Sequence, residues 1–324
     1  MASPNLSEIV TTTLRNRSGK LADNVTKNNA LLYKLKQRGN VKTVDGGRTI
    51  VQELMYAENS GYQRYSGFET LNTSPSDVIT AAEFDWKQAA VPVVWSGLEM
   101  DVQNSGSERV LDMLDSRISN AEITMENGIA TDAYSDGTAS SGKQIGGLQL
   151  LVADDPTTGT VGGISRVNWN FWRNQKFSAT ADGGSAASAS NIQRYMNQLY
   201  LRCSRGRDKP DLIVADNNYY TSYLTSLQAI QRVTNKEMAD AGFTNIEYMG
   251  APVVPDGGIG GGTPANHMYM LNTKYIHYRP HKDRNMVPLD NVRSINQDAS
   301  VKHIVFAGNM TLSGAQFQGV LFQT

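Results

Sequence analysis

Cysteine is nearly absent: Cys203 is the only one in 324 residues. That excludes an intrachain disulfide framework and any cysteine-ligated zinc cluster. Histidine is scarce too, with four in the chain, and no H-E-x-x-H pair marks a hydrolytic metal site. Charged residues make up 19%, below the usual ~25%. Amides and hydroxyls carry the polarity instead, with Asn appearing 26 times. Basic and acidic residues nearly cancel, 30 against 31, which excludes a polycation built for nucleic acid and an acidic tail. Long apolar runs are missing as well. Val91-Pro92-Val93-Val94-Trp95 falls far short of the ~20 residues that a membrane span needs. Met1-Ala2-Ser3-Pro4-Asn5 lacks the basic and apolar regions of a secretory leader, so a soluble intracellular chain is expected. The length suggests about two domains, enough to bury a core without staples.

The charge is unevenly placed. Residues 1–50 are net +6, residues 51–136 net −11 and the remainder net +4. This reversal predicts that the first segment lies on acidic surface, its own or a neighbour's. Residues 1–45 are polar, with one short periodic stretch at Ala30–Leu35, and carry too little apolar surface for a core. They read as an arm.

Residues 48–57 and 78–95 read as two strands, the second alternating at Phe84, Trp86 and Gln88. The loop between them has no helical period, and the whole reads as an extended hairpin that must rest on something. Residues 107–135 predict a long helix, with Val110, Leu114, Ile118, Ala121, Met125 and Ile129 in one stripe. Residues 138–190 are rich in turns. Asn191–Ser204 is an amphipathic helix, Leu212–Ala215 a buried strand, and Asp216 caps a helix running to about Ile230. Short strands follow near 244–248, 251–255, 267–271, 274–279, 302–312 and 315–322. The fold class is α+β, with no βαβ repeat.

Chemistry is hard to find. Pro280 separates His277 from His281 within a strand context, so the pair should not converge on a metal. The run Gly257-Gly258-Ile259-Gly260-Gly261-Gly262 has no Lys-Ser or Lys-Thr after it and leads back into a strand, unlike a phosphate loop. Cys203 falls on the apolar face of its helix, as a small buried hydrophobe would. Asp154-Asp155 and Glu83/Asp85 read as solvated acids. Tyr62, Arg64, Tyr65 and Phe68 could stack on bases, but no wider basic stripe surrounds them. Protein contact is the favoured reading, since Tyr and Arg are enriched at hot spots.

The order of parts — basic arm, long hairpin, long helix, loop-rich α+β insertion, returning strands — resembles a tailed-bacteriophage major capsid protein of the Hong Kong 97 fold. The most telling stretches are Phe84–Gln88 through Val94–Glu99 and the run from Gly250–Asp256 through Asn266–Asn272. The resemblance implies an N-arm at 1–45, an E-loop hairpin and its base at 46–95, and a P-domain at 96–145 with the spine helix 107–135. It further implies an A-domain at 146–285 and returning P-domain strands at 286–324. Gly257, Gly258, Gly260, Gly261 and Gly262 would form the A-domain tip at the capsomer axis. Tyr62, Arg64, Tyr65 and Phe68 would make contacts between subunits, and Arg15, Arg17, Lys20 and Lys27 would be the charge contacts of the arm.

No catalytic residue, cofactor or metal is implied. The implied partners are further copies in hexamers and pentamers, a separate scaffolding protein, a portal, a decoration protein and packaged double-stranded DNA, with no membrane. The location would be the virion capsid, assembled in the host bacterial cytoplasm. The loop at 58–76 holds no lysine, so the Lys–Asn cross-link of some members is not expected. An encapsulin-like nanocompartment shares this fold and is the alternative. An enzyme with a scattered site is the other, without a motif to support it.

Overall fold

The computed structural model describes residues 29–96, 113–227, 239, 245–258, 261–290, 292–293 and 296–323. The longer helices are α1 (Ala30–Gln37), α2 (Met113–Asp132), α3 (Ile192–Cys203) and α4 (Asn217–Ser226). The first strands are β1 (Ile50–Met55), β2 (Ile79–Phe84), β3 (Lys87–Ser96), β4 (Thr160–Val161), β5 (Ile164–Ser165), β6 (Gln175–Ser178) and β7 (Leu212–Ala215). They continue as β8 (Ile246–Tyr248), β9 (Ala251–Pro255), β10 (His267–Leu271), β11 (Ile276–Pro280), β12 (Val287–Pro288), β13 (Val292–Arg293), β14 (Ala299–Leu312) and β15 (Gly319–Phe322).

A six-stranded mixed sheet runs in the order β6-β15-β10-β7-β9-β8. Both of its faces are covered, so the strands β7, β9 and β15 are apolar at every position, whereas the edge strands β6 and β8 carry Lys176 and Glu247. Leu212, Val214, Tyr269, Leu271 and Val320 face a core shared with α1, α2 and the hairpin base. Ile213, Val253, Met268, Met270 and Leu321 face a second core under α3 and α4. All six residues of the predicted α3 stripe, Ile192, Tyr195, Met196, Leu199, Tyr200 and Cys203, are buried there. Asp216 caps α4 by accepting from the Tyr219 amide at 2.9 Å.

A second sheet is built around β14, which pairs with β3 along one side and with β11, β12 and β13. The long helix α2 lies on β3, burying Ala121, Met125 and Ile129. The first part of its predicted span, 107–112, lies outside the described residues.

Three expectations are corrected. First, residues 78–95 are not one strand. Asp85 and Trp86 interrupt it: β2 pairs with β1, while β3 pairs with β14. The inward positions change from even (Ala82, Phe84) to odd (Val93, Trp95) across the break, which leaves Gln88 exposed. A slip of one residue turns every side chain to the other face of a sheet.

Second, residues 29–44 are part of the body. Ala30, Leu31 and Leu35 are fully buried. Asn29 caps α1 through the Leu32 amide and also donates to the Ala130 carbonyl of α2 at 3.0 Å. Arg38 pairs with Asp211, and Val41 and Val44 bridge to Tyr278 of β11 and to His281 just beyond it. Three apolar residues suffice because the core they enter is supplied by distant strands. Residues 1–28, with Arg15, Arg17, Lys20 and Lys27, lie outside the described residues.

Third, a boundary at 285/286 does not divide the sheets. β11 joins the β14 sheet, and β15 inserts between β6 and β10. The expected strand at 315–322 starts only at Gly319, after a tight turn at Ala315–Phe317.

Gly319 lies directly on α3. A methyl group there would come within 2.5 Å of Cys203 Sγ and 3.0 Å of Leu199 Cδ1. Gly319→Ala is therefore expected to cost about 1–3 kcal/mol by overpacking, and Cys203→Ala alone about 1 kcal/mol. The double variant should recover most of the Gly319→Ala loss, because Sγ is the closest obstacle. Urea denaturation of the four chains gives the coupling directly, and strict additivity would refute the contact.

Candidate functional site

The hairpin of β1 and β2 is register-paired from Ile50↔Phe84 to Met55↔Ile79. Its inner face, Ile50, Leu54, Ala82 and Phe84, is buried in the chain's own core. Its outer face and loop are not: Val51, Met55, Ile79, Tyr65 and Leu71 are exposed, Tyr62 is 80% exposed and Phe68 fully so. Arg64 is exposed beside them.

The loop holds its shape by polar contacts alone. Gln63 donates to the Thr70 carbonyl and accepts from the Asn72 amide, both at 3.2 Å. The Ser66 amide donates to Glu69 at 3.1 Å, and Gly67 takes a positive φ at the tip. Large aromatics on an ordered loop without apolar cover mark a surface that another molecule completes.

The root of the hairpin is fixed by residues that the sequence pattern did not single out. Tyr56, at the end of β1, packs its ring 6.1 Å from Trp169 and 5.6 Å from Phe171. The Glu83 amide donates to the Gly162 carbonyl at 2.9 Å. Gly162 has φ +57, and a Cβ there would overlap Ala82 and Phe84, so only glycine allows the approach. Gln52 accepts from Arg279 at 3.0 Å and from Thr311 at 3.2 Å, tying β1 to the β14 sheet. An exposed ion pair, Arg205–Glu58 at 3.2 Å, adds little. The surface is thus presented by a rigid base and is not a free flap.

The other singled-out residues are dispersed. Gly262 is pressed against the Tyr134 ring at the end of α2. Gly257 approaches the backbone of Asp216 and Asn217, and Gly261 that of Asp256. Of this run Gly258 is exposed, and Gly260 lies outside the described residues. The close packing of three glycines places the run at a junction of helix and sheet.

His277 is half-buried against Ser313 at 3.3 Å, and desolvation pushes it down to about 4, with Arg279 and Lys42 adding repulsion. His281 lies edge-on to Trp86, 5.4 Å between rings. The two do not converge, and among the described residues no three His, Cys, Asp or Glu side chains gather as a metal would require. Burial pushes the Cys203 thiol up to about 12, the reverse of a nucleophile's need. Asp154 and Asp155 diverge, one to His267 at 3.0 Å and the other to Thr157 at 2.7 Å. What the arrangement offers chemically is an apolar, aromatic contact surface.

No protein-family profile matches the chain, and no curated protein matches its sequence. Solved structures do match. The chain is similar to the cyanophage A-1(L) capsid asymmetric unit, at 17% identity and TM-score 0.70 over 96% of both chains. It is similar to the capsid of the empty GTA particle, at 12% identity and TM-score 0.59 over the whole of both chains. It also resembles the capsid of Myoviridae phage XM1, at 12% identity and TM-score 0.53 over 90% of this chain and 92% of the other. The chain has the α+β fold of these capsid structures, the Hong Kong 97 fold.

Proposed function

We propose that this protein is the major capsid protein of a tailed phage, assembling as hexamers and pentamers into an icosahedral head around double-stranded DNA. Its role is structural. The observation that carries this reading is the rigidly rooted hairpin with Tyr62, Tyr65 and Phe68 uncovered, on a fold that extends over nearly the full length of known capsid chains. The apolar loop then belongs to the neighbouring copy. A phage head is preferred to a nanocompartment because the matching capsids named above come from phages and a GTA particle. A separate scaffolding protein, a portal and a decoration protein are the further partners of such a head, and DNA is held without sequence preference. The location is the virion, after assembly in the host cytoplasm. Negative-stain microscopy of the purified chain, with and without scaffold, tests the reading: closed shells are expected, and a chain that stays monomeric under both conditions would overturn it.

The basic first segment carries a second expectation. Removing residues 1–28 deletes Arg15, Arg17, Lys20 and Lys27. Assembly should weaken even without DNA, and the deficit against the full chain should shrink as salt rises, because exposed ion pairs contribute ~0–1 kcal/mol each and are screened. Empty shells that form normally and fail only when DNA is packaged would assign the segment to the genome instead.

A further inference from the structure

His267 opens β10 with its ring enclosed. Phe322 stacks on it at 6.0 Å and Tyr269 lies 6.2 Å away, and the side chain is 16% exposed. Its Nδ1 is 2.8 Å from the Ala265 carbonyl oxygen, and its Nε2 is 3.0 Å from Asp154 Oδ2. Both partners are acceptors. A neutral imidazole has one N–H and can serve one of them; the imidazolium serves both. The groups facing the ring also favour a cation. Asp154 reaches it from the loop after the helical turn Leu148–Leu151, and Asp216 from the cap of α4, where its Oδ2 accepts from the Asn266 amide at 2.8 Å. Tyr269 is the titratable neighbour on β10 itself, and Phe322 of β15 carries no charge.

We propose that His267 is a proton-dependent latch: its doubly protonated ring ties the Asp154 loop to the six-stranded sheet, and loss of one proton leaves a single N–H for two acceptors and weakens that tie. The loop is the segment that leads from the end of α2 into the sheet, because Leu148 donates to the Ala133 carbonyl at 2.8 Å and Asn174 holds Ala153 through both its amide and its carbonyl. The latch therefore makes the junction between the end of α2 and the six-stranded sheet dependent on pH. It is a property of the single chain and does not depend on the assembly reading.

The sign follows from the charges. Burial alone would lower the ring's pKa, but the bonds and carboxylates outweigh it, so the pKa lies above its ordinary 6.5. A histidine raised on folding stabilises fully below its unfolded pKa, and that contribution is lost as pH rises through the folded value. The window is thus on the alkaline side of 6.5.

Hydrogen–deuterium exchange at the imidazole Cε1 position, read by mass spectrometry between about pH 5 and 9, reports each histidine in the full-length chain, assembled or not. His267 is expected to titrate above 6.5. In Asp154→Asn the midpoint should fall, since an amide donating to Nε2 favours the neutral ring; one unit corresponds to about tenfold in the latch equilibrium. Backbone protection at 152–155, corrected for intrinsic exchange, should drop across the wild-type midpoint and stay level in the variant. A midpoint at or below 6.5, one unmoved by Asp154→Asn, or protection independent of pH would each overturn the latch. Should the variant not fold, the wild-type midpoint and protection decide.

Discussion

Deleting residues 58–75 is expected to leave a folded, soluble chain that forms no shell. None of these residues is buried, so the core loses nothing. The new junction joins Ala57 to Ser76 just beyond the pair in which the Tyr56 amide donates to the Val78 carbonyl at 3.0 Å. A short turn closes the hairpin there, and Tyr56 keeps its place between Trp169 and Phe171. What disappears is Tyr62, Tyr65 and Phe68. Each is worth about 1.5–3 kcal/mol when fully covered, so a contact that buries all three loses on the order of 5 kcal/mol. That is more than a thousandfold in a pairwise association constant, repeated at every contact of a shell. Far-UV circular dichroism and thermal melting check the fold, and sizing with negative-stain microscopy checks assembly. Normal shells from a folded deletion would remove the hairpin from the interface.

Gly147→Ala is expected to be the most damaging single methyl group in the described chain. The backbone at Gly147 has φ −88, which any residue adopts, so the effect is steric and not conformational. An added Cβ would lie 2.5 Å from both the carbonyl carbon and oxygen of Ala133, and closer still to the Asp132 oxygen. These are backbone atoms at the last turn of α2 and cannot swing aside. The same crossing holds the Leu148 amide on the Ala133 carbonyl and seats Leu148 and Leu151, both fully buried. Overpacking usually costs ~1–3 kcal/mol; with only backbone in the way, about 3 kcal/mol or more is expected, enough to unfold a marginal chain. Gly128→Ala on the same helix is the control. That residue is exposed with nothing within 4 Å, so alanine should stabilise by about 0.5–1 kcal/mol through propensity. Equal melting temperatures for the two variants would refute the close crossing.

What was legible in the sequence is what local periodicity encodes. The α3 stripe was complete from Ile192 to Cys203, and the runs at Leu212–Ala215 and His267–Leu271 agree with the strands found. The exposed aromatics of the hairpin loop stood out because no period gave them a face to bury. The break at Asp85–Trp86 was encoded too: the apolar parity changes from Ala82 and Phe84 to Val91, Val93 and Trp95. Alternation read through Trp86 to Gln88 hid it.

Other features depended on partners far along the chain. Ala30, Leu31 and Leu35 look too few for a core until α2, β7 and β11 arrive beside them. Tyr56 meets Trp169 and Phe171, and His267 meets Asp154, across more than a hundred residues. Gly162 looks like any turn glycine until β2 crosses it.

The placing of β14 and β15 sets a schedule for synthesis. β3 has no strand to pair with until Ala299–Gly308 has been made, and β6 and β10 flank a gap until Gly319–Phe322 fills it. Both sheets are thus closed by β14 and β15, so the body cannot form before those strands have been made. Pairings across such separations form slowly. A polypeptide released before Ala299 lacks the middle of one sheet and an inner strand of the other. It cannot present its aromatic loop on a rigid base. Under the assembly proposed above, chains that stop short of β14 are kept out of the shell by topology, without any separate step of inspection.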